Sequence, residues 1–561
     1  MKLAHRWWLV DSVILLLLTI ISGTWFMWHH AYGAYGDDSP GYIYSAHQLL
    51  AGEALVQQDA LVQDALAWFG DEQYARFVAP AHHEIIAPTG WITSRYPLGM
   101  SLLMALAAWL SGTITGIYLV VPVFAVIVVL GTYLGAIWLL PLTAVWKRLA
   151  GIGAAIVVVS CDLFAHYAVG QPMREIPSLG LFLIAVLVFC TTLRLTGWKQ
   201  AVGLVVAGLA FGYSVGIRET GAVLVLPLIL FGLSRVQQQR WRVAGWFLLG
   251  AVLAYSWFIV QAVNITAHKE AFRDKDITSI AITSNIDHIQ SLSITNLWDN
   301  QGKFKPGVGG LQQYWEVINN FSAWPLFLFC ALVGLGYAWK KDPALGRLLV
   351  SWVAVIVLLF GMWVNPYPRY VLPILPVLAW ASMLGAFAIW QWCVQLFQLR
   401  RGTSVAILGL LVLGFVLANQ PAIAERQEHL RTGAAVDREL TKADLALVVQ
   451  ATTAVITDAQ STGKPPLLLM LGATKGGLAE TIMTHAELRV IRFPSKDKEQ
   501  PPLDQLAAYI RHLDETYTLY LWYDPSVTAN EQRFYNQQVL TPITQLNTSY
   551  QPAISIYRIE Y

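Results

Sequence analysis

Charged side chains are scarce in this chain. Asp, Glu, Lys and Arg make up 13% of its 561 residues, against 56% hydrophobic, and the mean hydropathy is +0.50. That balance lies outside the ordinary range of a soluble globular domain. Excess basic charge is also missing: the formal net charge is +2, which excludes the footprint a nucleic-acid binder needs. Cysteine is rarer still. Cys161, Cys190, Cys330 and Cys393 fall inside or at the edge of apolar segments, without the close pairs of a metal site or disulfide framework, so they read as small buried hydrophobes. The chain has no internal repeat and no low-complexity tract. Its one glycine-rich turn, Gly472-Ala473-Thr474-Lys475-Gly476-Gly477, matches neither GxGxxG nor GxxxxGK followed by Ser or Thr, which argues against nucleotide binding.

Long apolar runs are what the sequence has in plenty. Stretches such as 116–140, 241–265 and 348–364 approach or exceed the length that crosses about 30 Å of hydrocarbon at roughly 1.5 Å per residue. The opening MKLAHRWW and the run behind it read as a retained first helix, since no small-residue cleavage site follows. Basic residues orient the spans, because short cytoplasmic connections are enriched in Lys and Arg. Lys2 and Arg6, Lys147 and Arg148, Arg194 and Lys199, Arg235 to Arg242, Lys340 to Arg347, and Arg400 with Arg401 all fall on one side if eleven spans are drawn. These are 8–28, 118–140, 149–165, 177–193, 201–216, 220–234, 241–264, 322–339, 348–364, 371–392 and 403–419. The short stretch 97–110, opened by Pro97 and closed by Ser111-Gly112, is then a half-inserted or surface helix. The expectation is a multi-pass protein of the plasma (inner) membrane, with a cytoplasmic N-terminus, a transmembrane unit over 1–420 and an extracytoplasmic α/β domain over 421–561.

In this topology the ionisable residues gather in outward connections. Loop 33–95 opens with Asp37-Asp38-Ser39-Pro40-Gly41-Tyr42, ahead of a helix ending near Gly52, and closes on Arg95. Either aspartate could simply cap that helix. Later turns read Arg174-Glu175-Ile176-Pro177, Arg218-Glu219-Thr220-Gly221 and Pro368-Arg369-Tyr370. Each has a bland reading as a dipole partner or interface anchor. Together they place acids and arginines on one membrane face. An arginine fork suits the oxygens of a lipid phosphate, and a carboxylate beside a reacting sugar can accept a proton.

In their order these motifs resemble the GT-C superfamily of polytopic glycosyltransferases that use polyprenyl-phosphate sugars, such as protein O-mannosyltransferases and lipid A aminoarabinose transferases. The acidic pair followed by Tyr42 and Ala46-x-x-Leu49-Leu50-x-Gly52 looks like that family's opening motif. Ser94-Arg95-Tyr96-Pro97 looks like its Tyr-Pro-Pro or Lys-Pro segment, Glu175 takes the place of its second acid, and Arg369-Tyr370-Val371-Leu372-Pro373 resembles the start of a late span. Glu219 departs from the family's proline, and Arg174 directly precedes the second acid. The resemblance implies inverting transfer from a polyprenyl-phosphate-sugar donor to an acceptor protein, lipid or glycan, next to membrane lipids and with no nucleic acid. Asp38 is the implied general base, with Asp37 as its alternate and Glu175 beside it. Arg95, Arg218 and Arg369 are implied for the lipid phosphate, with Tyr42, Arg174, Glu219 and Tyr370 as further candidates. For a cofactor the resemblance leaves a divalent cation open, since some relatives use one and others none.

The rival readings are a transporter or flippase of a lipid-linked substrate, which would put its charges near the midplane, and a non-catalytic membrane scaffold. The polar loop 266–321 reads as a cover over the pocket or as a plain connector. His82, His83 and Glu84 carry only a weak metal signal. Beyond residue 420, strand-like runs at 467–471, 488–493, 516–523 and 554–559 alternate with helical patterns at 478–485, 503–513 and 530–546, as in a three-layer α/β domain.

Overall fold

The computed structural model describes residues 2–33, 38–80, 82–170, 172–236, 240–268, 292–299, 307–319, 326–364, 366–396, 441–472, 475–494, 501–546 and 554–561. Helices dominate as far as residue 396. They are α1 (Lys2–His29), α2 (Ser39–Ala51), α3 (Ala60–Phe69), α4 (Glu72–Ala75), α5 (Gly99–Ser111), α6 (Val120–Leu139), α7 (Ala144–Ser160), α8 (Asp162–Val169), α9 (Glu175–Thr192), α10 (Gly197–Ile217), α11 (Val225–Arg235), α12 (Arg240–His268), α13 (Gly310–Asn319), α14 (Leu326–Lys341), α15 (Pro343–Gly361) and α16 (Leu375–Leu396). Short strands β1 (Val56–Gln58), β2 (His83–Ile85) and β3 (Trp91–Ser94) form a small antiparallel sheet in the order β1-β3-β2.

Among the described residues α1, α6, α9, α10, α12, α15 and α16 are long and apolar enough to cross a membrane, and α7 with α8, bent by 70° at their junction, make an eighth if they form one span. The chain is a polytopic helical membrane protein. Two of the eleven expected spans, 220–234 and 322–339, fall where α11 and α14 run for 11 and 16 residues. The expected span 403–419 lies outside the described residues. α5 occupies the stretch read as half-inserted; its 13 residues rise roughly 20 Å, short of the hydrocarbon thickness.

Within the bundle, tryptophan donors tie spans together. Trp380 Nε1 donates to the Thr132 carbonyl at 2.7 Å and Trp352 Nε1 to the Pro373 carbonyl at 3.0 Å. α14 and α16 press backbone to backbone, since a side chain at Gly334 would run into the Ala381 carbonyl and one at Gly385 into the Cys330 carbonyl.

The C-terminal part contains α17 (Lys442–Gln460), β4 (Pro466–Leu471), α18 (Lys475–Ala486), β5 (Arg489–Arg492), α19 (Leu503–Asp514), β6 (Thr518–Tyr523), α20 (Ala529–Asn536), β7 (Val539–Leu546) and β8 (Ile554–Glu560). The sheet order is β5-β4-β6-β8-β7, with β4 parallel to β5 and β6, and β8 antiparallel to β6 and β7. Side chains alternate between the two faces of β4. Leu468 and Met470 meet Val455 of α17 and Ile482 of α18, while Leu467 and Leu469 meet Tyr509 of α19 and Phe534 of α20. Three layers result. The single helix expected over 530–546 is corrected: α20 stops at Asn536, and 539–546 is β7. Val539, Thr541, Ile543 and Thr544 are β-branched and favour a pleated strand, and the irregularity between Pro542 and Thr544 accommodates the proline in an edge strand.

The first loop joins this domain's core. Leu61, Val62 and Leu66 of α3, with Phe77, Val78 and Ile92, pack in one cluster with α19 and the sheet. Asp59 caps α3 through the Leu61 and Val62 amides at 3.0 and 3.1 Å, and also holds Arg489 Nη2 of β5 at 2.7 Å.

Candidate active site

Segments far apart in sequence end at the same place. Asp38 precedes α2; Arg174 and Glu175 open α9; Arg218 and Glu219 follow α10; Arg369 and Tyr370 lie in the 3₁₀ turn Pro368–Ile374 that leads into α16. Helix direction explains the convergence: α9 and α16 begin at the end of the bundle where α10 and α15 stop.

Glu175 is the innermost acid, its side chain 1% exposed, and its Oε1 pairs with Arg218 Nη1 at 2.9 Å and Arg369 Nε at 3.3 Å. The other oxygen, Oε2, is buried without a hydrogen-bond partner. Arg369 also reaches Asp38 Oδ2 at 3.5 Å, so one guanidinium bridges the two carboxylates. Arg174 approaches Asp38 Oδ2 at 4.0 Å and Glu219 Oε2 at 3.8 Å. Three arginines thus face three acids, and the cluster is close to neutral. Arg218 is fixed further by Nε donating to Thr220 Oγ1 at 3.1 Å, and the Tyr370 ring lies under it at 4.8 Å. Tyr42 is fully buried on α2; its hydroxyl has no hydrogen-bond partner and lies close enough to Arg174, Asp38 and Glu175 to feel their charge.

Asp38 carries a further partner that sequence reasoning missed. Tyr96 donates its hydroxyl to Asp38 Oδ1 at 2.7 Å, and that hydroxyl lies 3.1 Å from His82 Nδ1. Burial works to raise the Asp38 carboxyl, but Arg174, Arg369, the Tyr96 hydrogen bond and His82 outweigh it and hold it below the ordinary carboxylate range. Tyr96 lies within the Ser94-Arg95-Tyr96-Pro97 segment, next to Arg95. The structure places Arg95 differently from the other arginines: its side chain is 48% exposed and faces Glu84 at 3.8 Å. Asp37 and most of loop 266–321 lie outside the described residues.

A narrow recess opens beside the ion pairs, with Glu175, Arg218 and Thr220 at its polar end and Leu179, Phe182, Leu224, Ile356 and Phe360 along its apolar walls. Charge at one end and hydrocarbon along the rest is the lining that an amphiphile with an anionic head requires. For the divalent cation of some GT-C enzymes the fit is poor. Arg369 fills the position between Asp38 and Glu175 that a bridging cation would take. Among the described residues no three His, Cys, Asp or Glu side chains converge as ligands.

No protein-family model matches the chain, and no curated protein matches it either. Solved structures do match, and they define a class: the fold is that of the polytopic GT-C proteins. Among them, ArnT from Cupriavidus metallidurans bound to undecaprenyl phosphate superposes with a TM-score of 0.59 at 12% identity, covering 99% of this chain and 98% of that one. The archaeal oligosaccharyltransferase AglB from Archaeoglobus fulgidus, in complex with an inhibitory peptide and a dolichol-phosphate, gives 0.52 at 12% identity, covering 93% of this chain and 70% of that one. An Archaeoglobus fulgidus oligosaccharyltransferase tethered with an acceptor peptide also gives 0.52, at 10% identity, over 99% of this chain and 74% of that one. At such identities the likeness is one of fold.

Proposed function

We propose that the chain is an inverting glycosyltransferase that moves a sugar from a polyprenyl-phosphate-linked donor to an acceptor protein, lipid or glycan on the outer face of the membrane. The observation that carries this reading is the convergence of Asp38, Glu175 and Glu219 with Arg174, Arg218 and Arg369 at the mouth of an apolar recess. The fold shared with proteins solved bound to undecaprenyl phosphate and dolichol-phosphate supports it.

In this mechanism the donor's first isoprene units lie along Leu179, Phe182 and Phe360, and its phosphate meets Arg218 and Arg369. An acceptor nucleophile gives its proton to Asp38 and attacks the anomeric carbon from the face opposite the phosphate. The bond from the anomeric carbon to the phosphate oxygen breaks, and the electron pair leaves with the lipid phosphate. Arg218 and Arg369 stabilise that developing charge; removing one such donor typically costs roughly 10²–10³ in kcat. Glu175 Oε2, buried and unpaired, is placed to accept a sugar hydroxyl. The guanidinium of Arg369 spans the carboxylates of Asp38 and Glu175.

The test is transfer of radiolabelled sugar from a panel of polyprenyl-phosphate donors in membranes containing wild type, Asp38→Asn or Arg369→Gln at matched expression. Transfer by wild type that Asp38→Asn abolishes and Arg369→Gln lowers about a hundredfold supports the mechanism. An Asp38→Asn variant as fast as wild type removes Asp38 as base.

A further inference from the structure

A phenol has a single proton. Since Tyr96 spends its proton on Asp38 Oδ1, the 3.1 Å approach of His82 Nδ1 to the same hydroxyl requires the imidazole to bring an Nδ1–H of its own. The result is a directed chain of donors, His82 to Tyr96 to Asp38. Two independent features show that it is built into the fold. His82 holds φ at 58°, in the left-handed region, a strained conformation for a non-glycine residue that collects at functional sites. Its carbonyl accepts from the Arg95 amide at 2.8 Å, which ties the two ends of the loop that carry His82 and Tyr96. The second feature is Gly41, in the first turn of α2. A side chain there would put its Cβ 3.1 Å from His82 Cβ and 3.2 Å from Tyr96 Cδ2, so the glycine lets both rings close onto the helix that Asp38 precedes.

The geometry points to His82 and Tyr96 as positioning residues for the transfer: they hold Asp38 by Oδ1 and leave Oδ2, on the side of Arg369 and Arg174, to take the acceptor's proton. The inference rests on the reading of Asp38 as the base. The groups facing this chain are Arg174, Arg369, Tyr42 and Glu175 around Asp38, and Arg95, Glu480 of α18 and Arg492 of β5 around His82. Burial lowers the His82 imidazole below its ordinary value, so it stays a neutral single donor at working pH. Glu480 and Arg492 both come from the C-terminal part, which therefore helps set the electrostatics of the base.

The experiment uses the purified full chain as wild type, Tyr96→Phe, His82→Asn and His82→Gly. One readout is the protonation midpoint of the Asp38 carboxyl, isolated by infrared difference against Asp38→Asn. The other is kcat and KM for sugar transfer from a polyprenyl-phosphate donor. Without the Tyr96 donor the carboxylate is less stabilised, so the midpoint and the acid limb of kcat both move to higher pH. In Tyr96→Phe kcat falls roughly tenfold or more, in line with a hydrogen bond to a charged group, while the donor KM stays unchanged. Asparagine keeps a donor near the place of Nδ1 and tolerates the left-handed backbone, so His82→Asn recovers most of the activity. Glycine relieves the backbone and supplies no donor, so His82→Gly behaves like Tyr96→Phe. A midpoint that stays put in Tyr96→Phe overturns the proposal, as does a His82→Gly enzyme equal to wild type. A shifted midpoint in a protein that transfers sugar from no donor upholds the donor chain and counts against the glycosyltransferase reading instead.

Discussion

Glu175→Gln preserves the shape of the most enclosed acid in the cluster and removes its charge. Glu175 Oε1 now serves Arg218 at 2.9 Å and Arg369 at 3.3 Å, so the substitution leaves two buried guanidiniums short of a counter-charge. Breaking a buried pair in this way costs roughly 3–5 kcal/mol, and the unliganded variant should melt at a lower temperature than wild type. The same change takes a cluster of three acids and three arginines from neutral to a net charge of one. At about 6 Å and an effective dielectric constant of about 20, that charge attracts an anion by roughly 3 kcal/mol. Even half of this, after screening, tightens binding by about tenfold. Undecaprenyl phosphate should therefore stabilise Glu175→Gln more than wild type, because ligand stabilisation grows with the logarithm of concentration over Kd. The 23 tryptophans supply the fluorescence signal for melting curves in detergent across a titration of that lipid. The reasoning fails if the lipid raises the melting temperature of Glu175→Gln no more than that of wild type, for Glu175 would then not compete with phosphate for the arginines.

Arg218→Lys keeps the positive charge but loses the planar fork that meets Glu175 and Thr220, and transfer should fall about tenfold or more in kcat/KM when the donor is titrated. His485 on α18 stacks on Tyr118 and lies 3.0 Å from its hydroxyl, and burial, with His47 nearby, pushes it from 6.5 down to about 4. The unfolded chain takes up this proton below pH 6.5 and the folded one only near pH 4, so stability is full above 6.5 and falls by about 3 kcal/mol between 6.5 and 4. Melting temperatures across that window should decline in wild type and flatten in His485→Phe. Gly385→Val drives a branched side chain into the Cys330 carbonyl and should separate α14 from α16. Lower yield of folded protein on size-exclusion chromatography would show it, with Ala388→Val on the same helix as control.

The helical class, the charged turns and the order of motifs were legible because each is local: an apolar run, a glycine stop, a charged pair between two runs. Glu175, Arg218 and Arg369 stand out because each lies at the mouth of a span, where burying a charge needs a reason, and Asp38 because it opens the motif that closes at Gly52. Arg95 looked equivalent, yet a loop residue carries no span to aim it, and it turned to Glu84. The Tyr96–Asp38 and His82–Tyr96 contacts bridge 58 and 14 positions, separations that periodicity does not encode. The 530–546 segment misled for a different reason: a helix and an edge strand follow each other with almost no punctuation. The core shared by 61–92 and the C-terminal sheet had no signature in either segment alone, since each reads as a small amphipathic unit.

That shared core has a consequence for the order of events at the ribosome. Asp59 meets Arg489 across 430 positions of chain. At about 5–20 residues synthesised per second, this loop waits roughly 20–90 s for its partner. Throughout that interval α3 has its apolar face uncovered, and the segment that bears His82 and Tyr96 lacks the sheet it packs on. A nascent chain that stops short of β5 would carry Asp38 and its arginines in the membrane without a finished loop beside them. Strand β5, made long after the first loop, is thus one of the elements that complete it.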